Sequence, residues 1–304
     1  MKKAIILTSL AILVIFALAA CSSQPQQTDG APTGGVEGVS PAQTSAAETP
    51  PPSAPANEAN NTIEIKGIVD LVPHSELIGY VTDQLANEGI IVNLVSTAAD
   101  ATTNERTLAG EVDFNFFQHF PYLDEWNGIN GGNLINVGDI HVEPISAYSD
   151  RYNTVDELPD NAVIAIPNDP TNAFRALRIL EIAGFIELDQ EAATNLKASA
   201  SNIAQYLRPI ELVELDSTII IPTKDDFDVF ITNVNKALEA GITSNVLFKE
   251  GEDSPYANII AVRDDLDADK RAAVDRLVAA LQSEDTRNFI LEQYDGKVIP
   301  AKLR

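Results

Sequence analysis

Blocks of apolar and polar residues alternate along the chain from about residue 63 onward. The segment IEIKGIVD, residues 63–70, predicts a strand because apolar residues recur there between polar ones. Residues 74–89 place apolar side chains at helical spacing and end at Gly89, a residue that often terminates helices. IIVNLVS, residues 90–96, predicts the next strand. The pattern therefore begins as strand, helix and strand.

The same alternation continues toward the C-terminus. Further predicted strands are residues 113–117, 162–167, 210–215, 228–233 and 256–265, and predicted helices lie in residues 104–112, 118–128, 171–184 and 267–294. Strands that alternate with helices are typical of a parallel sheet covered on both faces. A body of about 240 residues is large enough for two lobes. We therefore predict an α/β protein with two lobes and a ligand cleft between them.

The N-terminus has the features of a lipoprotein signal peptide, predicted over residues 1–20. Lys2 and Lys3 precede an apolar run, and the run ends in LAAC with small residues just before Cys21. Cys21 is the only cysteine, so the chain has no intrachain disulfide. Acylation of Cys21 by several lipid chains would hold the protein on the extracytoplasmic face of the cell membrane.

Residues 21–62 carry the acylated cysteine and then a segment rich in Pro, Ser, Gly and Ala. This segment contains no aromatic residue and cannot bury enough apolar surface to offset its ordering entropy, which predicts a disordered tether. The formal net charge of the whole chain is −25, and so acidic a surface repels nucleic acid.

An aromatic cluster, VDFNFFQHFPYLDEW, occupies residues 112–126 of a chain that is only 6% aromatic. Such a cluster can be a buried structural element or a slot that binds a small molecule. Period-two alternation puts Phe114 and Phe116 on one face of a strand, and we predict that these two and Trp126 are core residues. Phe117 is expected to begin the next element.

Four stretches of the chain resemble the methionine-binding lipoproteins, the substrate-binding subunits of methionine ABC importers. They are FNFFQHFPYLDEWN, the block around IPNDPTNAFRAL, NVNKALEAG and SPYANIIAV. The resemblance implies a two-lobed periplasmic-binding-protein fold of type II, with lobe one formed by residues 63–145 plus 255–304 and lobe two by residues 146–254. It implies a receptor rather than an enzyme, without a cofactor, whose partners are methionine, a membrane permease and its ATPase subunits.

Arg175 follows the helix-start residues Asp169, Pro170 and Thr171, and so lies near a helix N-terminus, where anions are favoured. Its planar guanidinium could bind a carboxylate through two hydrogen bonds, or it could belong to a solvated polar stripe. The resemblance implies the first role. It also implies that Asn233 and Asn258 bind the ligand, and we expect them to be neutral acceptors for its ammonium group.

By the same resemblance, Phe117, His119 and Tyr122 line the slot for the ligand side chain. Aromatic rings make favourable contacts with a thioether sulfur. Two positions depart from the family pattern: Asp100 replaces a slot-lining tyrosine, and Phe174 replaces a small residue. An inward-facing Asp100 would disfavour an apolar side chain, so another amino acid or a short peptide is the alternative ligand.

The sequence disfavours two other classes of protein, hydrolases and metal-binding surface lipoproteins. A hydrolase requires a nucleophile, but the only thiol is Cys21, and no G-x-S-x-G elbow is present. A metal-binding surface lipoprotein could use His119, His141, Asp139 and Glu143, although these residues lack the spacing of a metal-binding motif. The sequence accordingly predicts no metal site.

Overall fold

The structure is a computed structural model that describes residues 62–100, 102–251 and 254–302. The predicted signal peptide, the tether and Cys21 lie outside the described residues. Among the helices that are described, none is long and apolar enough to cross a membrane. The described part of the chain is a mixed α/β structure with two main sheets, as predicted.

Lobe one is built on a six-stranded sheet. Its strands are β1 (Ile63–Val69), β2 (Ile90–Ser96), β3 (Phe114–His119), β4 (Leu134–Val142), β12 (Ala257–Arg263) and β13 (Ile299–Pro300). Their order across the sheet is β13-β4-β12-β3-β1-β2. The helices of this lobe are α1 (Glu76–Asn87), α2 (Thr102–Leu108), α3 (Phe120–Asn130), α8 (Ala268–Leu281) and α9 (Glu284–Gln293).

Lobe two is built on a five-stranded sheet. Its strands are β5 (Ile145–Ser149), β6 (Ala162–Pro167), β9 (Ile210–Leu215), β10 (Val229–Asn233) and β11 (Asn245–Lys249), in the order β11-β5-β10-β6-β9. A separate hairpin pairs β7 (Ile186–Leu188) with β8 (Ile203–Tyr206). The helices are α4 (Pro170–Ile182), α5 (Gln190–Asn195), α6 (Ser217–Ile220) and α7 (Val234–Glu239).

Both main sheets are mixed, so the prediction of parallel sheets is wrong in part. β1 pairs in parallel with β2 and β3, and β6 with β9 and β10. In contrast, β12 is antiparallel to β3 and β4, and β5 is antiparallel to β10 and β11. The antiparallel strands β5 and β12 are those that begin immediately after the chain has passed from one lobe to the other.

Two short segments carry the chain between the lobes, and we call them the crossings. The first is Glu143 and Pro144, between β4 and β5, and the second is residues 250–256, between β11 and β12. Glu250 of the second crossing is bonded to Ile145, the residue that follows the first crossing, because the Glu250 backbone N–H donates to the carbonyl of Ile145 at 2.9 Å. In return, the Ile145 N–H donates to Glu250 Oε2 at 3.3 Å.

Three residues of the aromatic cluster pack in the interior of lobe one. Phe114 and Phe116 are fully buried among residues of β1, α1 and α8, and Trp126 is buried in a smaller neighbouring cluster, as predicted. Gly67 on β1 allows Phe114 to pack, since a Cβ at that position would lie only 2.2 Å from the ring carbon Cζ. Phe174 is buried in the core of lobe two.

Candidate functional site

A cavity of about 350 Å³ lies between the lobes. Lobe one contributes Asp70, Ala99, Asp100, Thr102, Phe117, Gln118, His119, Tyr122 and Asn258. Lobe two contributes Asn168, Asp169, Asn172, Asp216, Ser217, Thr218, Asn233, Asn235 and Lys236, and the first crossing adds Glu143. Six residues predicted to bind ligand therefore share one cavity, namely Asp100, Phe117, His119, Tyr122, Asn233 and Asn258. Arg175 is not among the described residues that line it.

Three predicted site residues point a donor at the same oxygen atom, Asn172 Oδ1. His119 Nε2 lies 3.2 Å from it, Arg175 Nη1 3.2 Å and Asn233 Nδ2 3.3 Å. His119 Nδ1 accepts a hydrogen bond from the backbone N–H of Tyr122 at 3.1 Å, which places the ring proton on Nε2. Burial and the charge of Arg175 lower the pKa of His119 to about 3, so the ring is neutral at physiological pH.

The side chain of Asn233 does not cap the helix that follows it. It is the N-cap residue of α7, but its side chain makes no capping hydrogen bond and donates instead to Asn172 across the cavity edge. Asparagine is favoured at N-caps because its oxygen accepts from the first turn of the helix. Because Asn233 does not make this capping bond and lines the cavity, its side-chain amide is available for contacts within the cavity.

Arg175 is buried and tied to both crossings. Its Nε and Nη2 donate to the carboxylate of Glu250 at 3.3 and 2.5 Å, and Nη2 also donates to the carbonyl of Glu143 at 2.7 Å. The guanidinium carbon lies 4.5 Å from the centre of the Tyr256 ring. Only Nη1 is directed toward Asn172 and the cavity edge. Arg175 thus links helix α4 to both segments that join the lobes.

The aromatic side of the cavity comes from β3 and α3. Phe117 still belongs to β3 rather than to the next element, which corrects the prediction, and it is the extra residue at a register shift opposite β12. Bulges of this kind re-aim a side chain. The rings of Phe117 and His119 lie edge-on to Tyr122, with centroids 6.1 and 6.2 Å apart.

Comparison with known proteins identifies the family. Residues 67–302 match the family model described as NlpA lipoprotein. The chain belongs to the NlpA lipoprotein family. The resemblance inferred from sequence is thereby confirmed.

Relatives of this family member include proteins with known or assigned ligands. A probable D-methionine-binding lipoprotein MetQ from Haemophilus influenzae is 36% identical over 214 residues, which cover 69% of this chain and 77% of the relative. A nutrient binding protein from Burkholderia cenocepacia, solved bound to methionine, matches with a TM-score of 0.71 and 31% identity over 78% of this chain and 100% of that chain. An ABC transporter periplasmic substrate-binding protein from Coxiella burnetii matches with a TM-score of 0.70 and 32% identity, over 78% and 100% of the two chains. These neighbours confirm the two-lobed binding-protein fold.

Three aspartates form an acidic rim on the cavity of this NlpA family member. Asp100 is exposed, and its Oδ1 accepts from the N–H and hydroxyl of Thr102 at 2.8 and 2.7 Å, which lowers the pKa of Asp100. Asp169 and Asp216 cap helices α4 and α6 in the same manner. Burial, followed by the charges of these aspartates, raises the pKa of Tyr122 to about 12.

Behind Asn258 lies a buried polar cluster that we call the buried triad, formed by His74, His141 and Glu143. His141 Nε2 is 2.8 Å and His74 Nε2 is 3.5 Å from Glu143 Oε1, and His74 Nε2 is 3.2 Å from Asn258 Oδ1. Burial lowers the pKa of His141 to about 3 and raises that of Glu143 to about 7. Burial also lowers the pKa of His74.

The buried triad has the donor atoms of a metal site, since its ligand atoms lie within 4.8 Å of one another. Metal ligation through both Nε2 atoms would move each ring proton to Nδ1. In the described part of the chain, however, both Nδ1 atoms are buried without a hydrogen-bond partner. Metal-bound histidines almost always donate their other N–H to an acceptor, so the arrangement favours hydrogen bonds over a metal.

The metal site considered from sequence is not assembled as a unit. His141 and Glu143 are hydrogen-bonded, but His119 contacts Asn172, and Asp139 accepts from Asn136 Nδ2 at 2.8 Å. Among the described residues, the cluster that could hold a metal replaces His119 and Asp139 with His74.

The sequence analysis missed several residues of the cavity. Asn172 could have been found, because it lies one helical turn before Arg175 on the same face of α4. Asp70 and Lys236 form an ion pair at 2.8 Å that joins lobe one to α7 in lobe two, and Asp70 is 2% exposed. Residues so far apart in the chain give no local signal of such a contact.

Proposed function

We propose that this NlpA family member is an extracytoplasmic solute receptor that binds methionine and delivers it to an ABC permease with its ATPase subunits. The observation that carries the proposal is the convergence of His119, Arg175 and Asn233 on a single oxygen atom in the cavity. Donors gathered in this way are suited to a carboxylate, which presents two acceptor oxygens. The methionine-bound relative from Burkholderia cenocepacia supports the choice of ligand.

In the proposed complex, the ligand carboxylate lies beside Asn172 and accepts from Arg175 Nη1 and Asn233 Nδ2. The methionine side chain enters the slot bordered by Phe117 and Tyr122, where aromatic rings contact the thioether. Because Glu250 already balances the charge of Arg175, the site is suited to a zwitterion, which is neutral overall.

A second candidate ligand is another amino acid or a short peptide with an additional donor. The acidic rim of Asp100, Asp169 and Asp216 favours this candidate, since these residues line the cavity and a carboxylate can accept from a cationic or amide group. Glycyl-methionine, glutamine and histidine carry such a donor in addition to the ammonium group, whereas methionine does not.

Ligand identity is tested by unfolding the purified protein and analysing the released small molecules by mass spectrometry. Calorimetric titration of stripped protein with L-methionine, D-methionine, glycyl-methionine, glutamine and histidine then ranks the candidates. Tightest binding of methionine supports the proposal. Failure to bind any of the five would refute an amino-acid receptor.

Transport requires no bond to be made or broken in the receptor. We propose that ligand bridges the lobes and that rotation about the two crossings closes the cavity, so that the closed form docks on the permease. Small-angle scattering with and without ligand tests this step. An unchanged radius of gyration at saturating ligand would count against closure.

The proposed anchor is Cys21, which precedes the described residues. Cys21→Ala should leave ligand affinity unchanged and move the protein from the membrane fraction to the soluble fraction, or leave the signal peptide uncleaved. A cleaved variant that stays with the membrane would exclude lipid anchoring at this cysteine.

A further inference from the structure

The buried triad lies against the side-chain amide of Asn258, which also lines the cavity. His74 and His141 are 0% exposed and Glu143 is 2% exposed, so solvent does not compete for their hydrogen bonds. Asn258 is 3% exposed and lines the cavity on one side while contacting His74 on the other. Which nitrogen of His74 carries the ring proton therefore bears on which end of the Asn258 amide contacts His74.

The surroundings of His74 place its ring proton on Nε2. This nitrogen lies between two oxygens, Asn258 Oδ1 at 3.2 Å and Glu143 Oε1 at 3.5 Å. A bare Nε2 lone pair facing two oxygen atoms would be repulsive, whereas an N–H is attracted to both. A proton on Nδ1 would also be a buried donor that lacks an acceptor among the described residues.

His141 contacts the same oxygen of Glu143 as His74 does. Its Nε2 lies 2.8 Å from the same carboxylate oxygen, and its Nδ1 also lacks a described partner, so the proton is again on Nε2. Both imidazoles thus donate toward Glu143, and the carboxylate is held in position by them. The rings of His74 and His141 also pack edge-on, with centroids 4.9 Å apart.

We infer that the buried triad fixes the Asn258 amide with Oδ1 toward His74 and Nδ2 toward the cavity, so that Asn258 donates to a ligand oxygen. This inference rests on the proposed function. It changes the proposed role of Asn258 in ligand binding from hydrogen-bond acceptor to donor. The sequence analysis expected Asn258 to accept from the ligand ammonium. Its oxygen is instead used by His74, and its N–H groups suit the ligand carboxylate.

The substitution Asn258→Asp separates the two roles because it is nearly isosteric and replaces the donor with an acceptor. Three ligands are titrated: L-methionine, L-methioninol, which lacks the carboxylate, and 4-(methylthio)butanoate, which lacks the ammonium. If Asn258 donates to the carboxylate, Asn258→Asp weakens both carboxylate ligands by roughly a hundredfold and weakens methioninol by less than about threefold. Asn130→Asp, an exposed site outside the cavity, adds the same charge as a control and should change none of the three affinities.

A positioning role for His74 is tested with His74→Gln and His74→Leu. Glutamine can still donate to Asn258 Oδ1, whereas leucine cannot, so only the leucine variant should release the amide. We expect His74→Leu to weaken the two carboxylate ligands about five- to tenfold and methioninol less than twofold, with partial restoration in His74→Gln. Thermal unfolding of each variant shows whether it is folded; if His74→Leu is unfolded, the Asn258→Asp result alone decides.

The outcomes distinguish this inference from the proposed function. Tighter methionine binding by Asn258→Asp would show that Asn258 accepts from the ammonium, and unchanged binding would show that Asn258 does not donate to the carboxylate. Either result would overturn the inference while leaving the receptor intact. Equal losses for all three ligands in His74→Leu would indicate a purely structural role and would also overturn it. Wild-type protein that binds none of the three ligands would overturn both.

Discussion

Removal of the Arg175 side chain is expected to lower the free energy of unfolding by about 3 to 5 kcal/mol, because it leaves a carboxylate buried without its cation. The side chains of Arg175 and Glu250 are 1% and 15% exposed, and two hydrogen bonds join them. Arg175→Ala also removes the bond from Nη2 to the Glu143 carbonyl. For a body of this size, such a loss corresponds to a fall in melting temperature of roughly 6 to 20 °C.

Urea denaturation of ligand-free protein, followed by circular dichroism, measures this loss. The matched control is Arg276→Ala, which breaks an ion pair with Glu88 on the surface, where Arg276 is 58% exposed. An exposed pair contributes about 0 to 1 kcal/mol, so the control should unfold almost as the wild type does. Combining Arg175→Met with Glu250→Gln removes both charges and should recover much of the lost stability.

The reasoning would be refuted if Arg175→Ala cost no more than Arg276→Ala, since Arg175 would then not be an obligatory partner of Glu250. Arg175→Ala also tests whether Arg175 binds the carboxylate of the ligand. Losing the cation should weaken methionine binding by a factor of about a hundred to several thousand, and Arg175→Lys should restore binding only in part because lysine lacks the planar fork. Near-native affinity in a folded Arg175→Ala would remove Arg175 from the binding site.

Three further predictions concern packing, pH and the acidic rim. Gly67→Ala should lower the free energy of unfolding by about 1 to 3 kcal/mol in urea titrations, because its Cβ would enter the Phe114 ring, and Gly67→Ala should cost little once Phe114→Leu has made room. The pKa of His119 is about 3 in the folded state and about 6.5 for an unperturbed histidine, so the unfolded state binds one more proton between these values and stability falls as pH drops through this window. Urea denaturation of His119→Gln should show a pH dependence shallower by up to about 1.4 kcal/mol per pH unit there, and parallel curves would contradict the depressed pKa. Asp100→Asn keeps an acceptor for Thr102 and should change methionine affinity in calorimetry by less than about threefold, whereas a tenfold gain would mean that the Asp100 carboxylate opposes the ligand side chain.

Local patterns in the sequence predicted the strands in which apolar residues dominate or alternate regularly with polar ones. β2, β6 and β9 have the predicted bounds, because valine, isoleucine or leucine recurs along each of the three segments. β4 was missed, since its segment LINVGDIHV contains a glycine and an aspartate, which are uncommon in strands. The strand order could not be predicted either, because β12 inserts between β3 and β4 after the chain returns from the other lobe.

The candidate site shows the same division between local and long-range information. Asn172 and Arg175 lie on one turn of α4, so their proximity follows from helical geometry. The contact of His74 with Asn258 joins residues 184 positions apart, and no spacing rule relates them. The acceptor role expected for Asn258 stays a prediction, and the contact of its oxygen with His74 is what suggests the donor role that we infer instead.

Arg175 connects the proposed ligand site with the segments about which the lobes would rotate. One guanidinium contacts the first crossing through the Glu143 carbonyl, the second through the Glu250 carboxylate, and the cavity edge through Asn172. Glu250 also bonds to Ile145 at the start of β5, so a shift of either crossing must change the geometry around the guanidinium. A ligand carboxylate that binds Nη1 therefore interacts differently with the open and closed arrangements, and a differential interaction of this kind is the physical requirement for ligand-driven closure.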